Sequence, residues 1–396
     1  MSETVEQENS TLKSKRLESF RFDRNEFAGA FGDIGTDLPL VVGMILAAGL
    51  DSASVLVIYG ALQVLSGLTY RLPMPVQPLK AVAVIVIAQS AAQKITPEIL
   101  YGGGLAIGLT MLFLTTTGLV NWLGRVIPKT VVRGIQFGLG LQLASLALKD
   151  YMQREGVPGY WLAAIAFVVS LLLYGNRKYP AALLILLLGT IYSIVSLKLN
   201  LYSASQQIGF HLPHLRAVDS HSIWIGFLLL ALPQVPLSIG NSILAARQTS
   251  LDLFPNRAPS LRKISFTYSL MNLINPFLGG VPTCHGSGGM AGHYAFGART
   301  GGSVIIYGAL YLTIGFFFTS GFKNVIQVFP MPILGVILLF EGLALMLLIR
   351  DTMDSKSNFF LVLLVGLMAS GLPYGYLIAL VVGTILARSK FVAARL

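Results

Sequence analysis

The chain has 396 residues, 54% of them hydrophobic and only 11% charged, with a mean hydropathy of +0.72. Soluble domains carry roughly 25% charged residues, so a soluble globular protein is excluded. The net charge of +11 does not mark a nucleic-acid binder, because the basic residues sit in short loops between apolar runs, as membrane topology requires.

Residues 1–26 are polar and mixed in charge, lack the apolar core of a cleavable signal peptide, and read as a disordered cytoplasmic tail. Continuous apolar runs such as Ile223–Leu232 are foreign to the alternating strands of an outer-membrane barrel. A helical span needs roughly 20 apolar residues, fewer where the helix is broken. On that measure fourteen segments follow: 27–50, 52–70, 76–92, 98–121, 129–148, 157–174, 180–197, 221–246, 262–279, 284–297, 302–320, 326–348, 357–371 and 373–389. The third and tenth are short, and the last pair is compatible with a re-entrant hairpin. With the N-terminus inside, 21 of the 28 Lys and Arg residues fall on the inner side, 6 fall outside and Lys80 lies within a segment. That asymmetry supports an even number of spans with both termini cytoplasmic, in a plasma or inner membrane.

The outer connection 199–220 divides the chain into a first repeat, 27–198, and a second, 221–396, with seven segments each. An odd number per half sends the second half into the membrane from the opposite side. The expected fold is therefore an all-α polytopic membrane protein built as a seven-plus-seven transmembrane inverted repeat.

In the first segment Asp33 and Asp37 lie one helical turn apart on one face. They are candidates to pair with Lys80, to carry a coupling ion such as a proton, or to cap broken backbone. The third segment opens with Pro73-Met-Pro-Val-Gln-Pro-Leu-Lys80 and the tenth with Gly280-Val-Pro-Thr-Cys-His-Gly-Ser-Gly-Gly289. Proline lacks a donor and glycine is costly in a helix, so neither is an uninterrupted span. Paired breaks in corresponding positions of two halves are the best sequence pointer to a transporter's substrate site. Each break begins a helix, and two helix N-termini facing each other make an anion site. Its candidate lining is Gln77, Lys80 and Ala81 from the third segment, and Cys284, His285, Gly286 and Ser287 from the tenth. An ammonium such as Lys80 inside a span faces a cavity or partner, or snorkels to the interface.

The eighth segment carries Pro233-Gln-Val-Pro-Leu-Ser-Ile-Gly-Asn241, so Gln234, Ser238 and Asn241 are expected either opposite the tenth helix or in interhelical hydrogen bonds. Glu341, deep in the twelfth segment, is a further candidate for proton coupling or for a pair with a basic residue. His211, His214 and His221 share the outer connection and are read as solvated. The single cysteine excludes an intrachain disulfide and a cysteine-clustered metal site. There is no P-loop, no catalytic Cys/His pair, and no call for a cofactor or metal, so the chain does not read as an enzyme.

Phe31-Gly-Asp-Ile-Gly-Thr-Asp-Leu-Pro39, Pro73 to Ala81, the eighth segment with Asp252-Leu-Phe-Pro255, and Pro282 to Arg299 together resemble the molybdate-transporter family, a relative of the SulP sulfate transporters. The resemblance implies a core of segments 1–4 and 8–11, a gate of segments 5–7 and 12–14, and substrate between the N-termini of the third and tenth helices. It also implies alternating access, molybdate as the oxyanion, and no C-terminal soluble domain of the kind SulP proteins carry. The expected partners are molybdate or a related oxyanion and the lipid bilayer, with a coupling proton and a homodimer left open. Molybdate, tungstate and sulfate are not separated by these motifs. A nucleobase-type carrier of the same fold and an oxyanion channel or sensor are the rival readings.

Overall fold

The computed structural model describes residues 20–87, 95–173, 181–196, 209–319, 329–372 and 375–389. The side chains of Asn241 and Glu341 lie outside the described residues. A short helix α1 (Arg24–Ala30) leads into α2 (Ile34–Ala48) and α3 (Ser52–Tyr70). The third segment is a strand, β1 (Val76–Pro78), followed by α4 (Lys80–Ile87). Then come α5 (Pro97–Thr116), α6 (Leu119–Val126), α7 (Lys129–Leu146), α8 (Gly156–Leu172) and α9 (Ala181–Val195). The second half repeats the plan with α10 (Ser220–Leu253), α11 (Leu261–Ile274), β2 (Thr283–His285) and α12 (Ser287–Ala295). It closes with α13 (Gly302–Phe317), α14 (Met331–Leu347), α15 (Lys356–Gly371) and α16 (Gly375–Arg388). This is a seven-plus-seven inverted repeat whose third and tenth segments are discontinuous.

Local chemistry sets the helix ends. Asp51, Thr96, Asp219, Ser260 and Ser355 each accept a backbone N–H of the first turn they precede, satisfying donors that a helix cannot satisfy itself. The hydroxyl and amide of Ser222 hold the Asp219 carboxyl below the usual carboxylate range. Pro233 and Pro236 deny α10 two donors, and π-helical turns at Phe227–Ala231 and Ser238–Leu244 flank them.

Packing separates a core from a gate. In the core α3 runs along α13, and α5 lies against α10 and α11. Gly60 and Gly308 let α3 and α13 touch, since a Cβ on either would stand 2.7 or 2.6 Å from the other's carbonyl oxygen. Small residues at such crossings are how helices associate where lipid is as apolar as leucine. In the gate α7 packs on α14 and α15, α15 on α16, and α14 on α8 and α9. A separate apolar cluster of Leu162, Ala166, Ile185, Ile333 and Ile337 joins those last three helices. Large apolar side chains such as Trp161, Leu172 and Ile385 point outward, as a lipid-facing surface requires. Helices α15 and α16, with 16 and 14 residues, extend only about 24 and 21 Å, less than the ~30 Å hydrocarbon core.

Two boundaries differ from the sequence reading. The tail expected over 1–26 gives way to structure before its end: Arg21 donates its amide to Thr300 Oγ1 at 3.1 Å, and α1 begins at Arg24. The reason is Glu26, a buried carboxylate whose Oε1 accepts from Arg299 N (2.8 Å) and Thr300 N (2.9 Å) and whose Oε2 accepts from Ser303 N (3.0 Å). It caps α13 from across the fold. The third and tenth segments were expected to break and then begin a helix; the breaks are strands, so the helices begin only at Lys80 and Ser287, because the prolines withhold helical donors.

Replacing Glu26 by Ala orphans three amides at the start of α13. A loss of about 3 kcal/mol is expected, read as a lower unfolding midpoint of the purified protein in detergent. An unchanged midpoint would show that water replaces the carboxylate.

Candidate functional site

The two breaks meet as a two-stranded antiparallel sheet. Val76 pairs with His285, Gln77 with Cys284, and Pro78 with Thr283. Bonds from Leu79 N to Pro282 O (3.0 Å) and from Gly286 N to Pro75 O (3.2 Å) extend the ladder at both ends. The central pair, Gln77 and Cys284, lies on the local two-fold axis, so Val76 and Thr283 are equivalent positions of the two repeats.

Each of these two residues is held by a carboxamide from the preceding helix. Gln63 on α3 accepts from Val76 N (2.8 Å) and donates to Val76 O (2.6 Å). Asn272 on α11 accepts from Thr283 N (2.9 Å) and donates to Thr283 O (2.7 Å). A buried tyrosine stands one turn before each carboxamide. Tyr59 contacts Val76 O (2.7 Å) and Asp37 Oδ2 (2.5 Å), and Tyr268 shares a 2.6 Å bond with Ser238. Sequence reading missed all four residues. The signal was present as an aromatic–amide pair four residues apart, repeated in the second and ninth segments.

A cavity of about 420 Å³ lies beside the strands. Core residues Gly32, Asp33, Gln77, Lys80, Gln234 and Ser287 line one side, and gate residues Arg133, Gln136 and Leu348 line the other. Arg133 and Gln136 of α7 were not anticipated, since Arg133 was counted only toward topology. The Arg133 side chain is 21% exposed; it pairs with Asp351 at 2.6 Å and donates to Gln136 Oε1 at 2.9 Å.

The predicted site residues have distinct fates. Lys80 opens α4 and lines the cavity, as do Cys284, His285, Gly286 and Ser287. Gln77 sits on β1 rather than at a helix start, and its Nε2 donates to both oxygens of Asp33 at 2.8 and 2.7 Å. Asp33 thus lies within the cavity, whereas a direct part for it was not expected. Gly286 and Gly289 make this arrangement possible: a Cβ would stand 2.1 Å from Gln77 Oε1 at the first and 2.2 Å from Asp33 Oδ2 at the second. Gln234, expected opposite the tenth helix or in interhelical hydrogen bonds, lines the cavity and bonds across to the third-segment helix, whose start it caps. Its Oε1 accepts from Ala81 N (3.0 Å) and Val82 N (3.4 Å). Ala81 is fully buried and its amide is taken. The cap position of α12 is Gly286, which has no side chain to offer, and Asp33 stands against the first turn at Gly289, so the start of α12 borders the cavity. His285 turns its ring to Tyr70 (3.2 Å) and Thr267 (2.8 Å). Asp37 lies behind the strands against Tyr59. Asn241 and Glu341 fall within α10 and α14, their side chains outside the described residues. Among the described residues no three His, Cys, Asp or Glu side chains gather as a metal site.

A charged cavity between two broken helices, shared by a core and a gate, defines a membrane transporter of the inverted-repeat class. The fold is that of the transmembrane domain of a cyanobacterium bicarbonate transporter, BicA, with TM-score 0.65 and 17% identity over 93% of this chain and 98% of that one. It is also that of murine Slc26a9, an anion transporter in its inward-facing state, with TM-score 0.67 and 12% identity over 92% of this chain and 68% of that one. Residues 25–143 and 226–345 match the family described as "Molybdate transporter of MFS superfamily". Molybdate transporter 2 of Arabidopsis thaliana is 34% identical over 387 residues, covering 86% of this chain and 81% of that protein. Molybdate transporter 1 of the same plant is 34% identical over 388 residues, covering 87% and 84%. The chain belongs to the molybdate transporter family and is an anion transporter. Its seven-plus-seven fold departs from the two six-helix halves that the superfamily name in that description implies.

Substituting Asn272 by Leu removes the side-chain partner of both Thr283 N–H and C=O, and substituting Gln63 by Leu removes that of Val76 N–H and leaves its carbonyl to Tyr59. Each change is expected to cost about 2–4 kcal/mol and to abolish uptake into proteoliposomes. Wild-type uptake in either variant would show that the strands hold without their clamps.

Proposed function

We propose that this chain is a secondary active transporter that imports molybdate by alternating access. The dianion binds in the cavity against the first turn of α12, with Lys80, Ser287 and the carboxamides of Gln77 and Gln136 around it, and Arg133 at the gate side. The observation that carries this reading is the cavity's shared lining. Core and gate each contribute a cationic residue, Lys80 and Arg133, so sliding one body past the other changes both the access and the field of the site. A helix N-terminus adds roughly half a positive charge, and its amides suit tetrahedral oxyanions. The Lys and Arg distribution supports cytoplasmic termini, and on that reading the Arg133–Asp351 end of the cavity is the inner one. Bringing a dianion in against an inside-negative potential costs about 5 kcal/mol per 100 mV. A coupling cation offsets part of that, and Asp33, Asp37 and Glu341 are the acidic candidates.

Saturable uptake of labelled molybdate into proteoliposomes, blocked by excess tungstate and little affected by sulfate, is the expected result. Inhibition mainly by sulfate would keep the site and change the substrate. Inhibition by uracil, or no uptake by folded protein, would overturn the oxyanion reading. A charge-assisted hydrogen bond contributes about 1.5–3 kcal/mol, so Lys80→Met should raise KM for molybdate about 10- to 100-fold with expression unchanged. Unaltered kinetics would remove Lys80 from the site.

A further inference from the structure

The hydrogens around Tyr59 can be counted. Its hydroxyl lies 2.7 Å from the Val76 carbonyl oxygen and 2.5 Å from Asp37 Oδ2. A phenol has one hydrogen to donate, and both neighbours of an ionised Asp37 arrangement would be acceptors. A bare oxygen–oxygen contact at either distance is repulsive, so one more hydrogen is required between the three atoms. The Val76 carbonyl has none to give. The hydrogen therefore belongs to Asp37: its carboxyl donates to Tyr59, and Tyr59 donates to Val76.

The surroundings agree. Asp37 is fully buried, and its Oδ1 has no hydrogen-bond partner among the described residues, an arrangement a carboxylate tolerates poorly. The titratable groups facing it are Asp33 on its own helix, Tyr59 on α3, Lys80 on α4, Cys284 on β2, and Tyr307 and Tyr311 on α13. Of the other helices packed against α2, α9 carries Tyr192 and α14 carries Glu341, whose side chain lies outside the described residues.

Resting on the transport reading above, we infer that Asp37 is the proton carrier of this transporter and that Tyr59 reports its protonation to strand β1. When Asp37 ionises, it takes the only hydrogen of Tyr59, and the Val76 carbonyl keeps only its bond from Gln63. A second carboxylate then stands beside Asp33 and within electrostatic reach of Lys80, competing with the oxyanion for that ammonium. Protonation removes the competition. Oxyanion and proton therefore favour each other's binding by the same factor, and both cross together. The proton enters on Asp37 from one side and leaves it to water on the other.

The test uses the full chain in proteoliposomes. Wild-type protein is expected to accumulate molybdate above equilibrium when the inside is made alkaline, and, at the alkaline pH where ligand-free Asp37 is ionised, to take up a proton on binding molybdate, read with a pH indicator in weakly buffered solution. Its KM should rise about tenfold per pH unit once Asp37 ionises. Asp37→Asn, which fixes the neutral form, should exchange molybdate in counterflow yet lose gradient-driven accumulation, the proton uptake and the pH dependence of KM. Pumping by Asp37→Asn, or loss of coupling in Glu341→Gln with counterflow intact, would overturn the assignment. Should Asp37→Asn fail to fold, the wild-type proton count decides, and no proton taken up on molybdate binding anywhere in the pH range where KM rises overturns the inference. Counterflow without any pH-driven accumulation in wild type would overturn it while leaving the transport reading standing. Absence of counterflow in wild type would overturn that reading itself.

Discussion

Broken backbone at membrane depth must find its hydrogen bonds within the protein, and the centre of this molecule is arranged around that requirement. Pro73, Pro75 and Pro78 cannot donate, and the remaining polar groups of β1 have no helix to join. The same holds for the stretch around Pro282. Each break supplies what the other lacks, giving a three-residue antiparallel pair. So small a sheet does not persist alone. Here Gln63 and Asn272 close its outer edges, and Asn275 adds a bond to Thr283 Oγ1 at 3.0 Å. Neither repeat can satisfy its own break, which binds the two halves into one unit.

This explains what could be read from the sequence and what could not. Hydropathy and the placement of Lys and Arg carry the number and direction of segments, because lipid acts on each span separately. The breaks are legible because proline and glycine act on their own backbone. The partners of the breaks are a property of two segments brought together. Gln63 and Asn272 therefore look like any polar residue in a span until the strands are paired. Gln234 was legible as an interhelical hydrogen-bonding residue, but its partner at the start of α4 was not, because Pro233 and Pro236, with the π-helical turns on either side, shift α10 from ideal helical phase. The cavity role of Arg133 was hidden because a basic residue near a membrane surface already has a sufficient explanation in topology.

Aligned on their shared Pro-Leu-x-x-Gly pattern, the first and eighth segments read Thr36-Asp-Leu-Pro-Leu-Val-Val-Gly43 and Pro233-Gln-Val-Pro-Leu-Ser-Ile-Gly240. Asp37 then corresponds to Gln234, Pro39 to Pro236, and Gly43 to Gly240. A carboxamide in the second repeat occupies the position of an acid in the first. Gln234 is permanently neutral and keeps both a donor and an acceptor, offering Nε2 to Ser238 at 3.2 Å and Oε1 to two amides. A protonated carboxyl shares those properties, and an ionised one does not. The scaffold thus has room for a neutral hydrogen-bonding group at both positions, with only one of them able to gain charge.

The departures from symmetry also fix where a ligand has room. The antiparallel register fixes the local two-fold axis, which makes Leu79 equivalent to Gly286, Lys80 to Ser287, Ala81 to Gly288 and Val82 to Gly289. The first repeat contributes side chains and charge, and the second contributes open backbone. Gln234 fills the space over the start of α4, while the glycines leave the start of α12 clear except for Asp33. The open backbone of the cavity therefore lies off the two-fold axis, on the α12 side, while Lys80 of the opposite repeat lines the same cavity. Two repeats of opposite direction share one backbone plan, and the unequal residues placed upon them make the cavity one-sided.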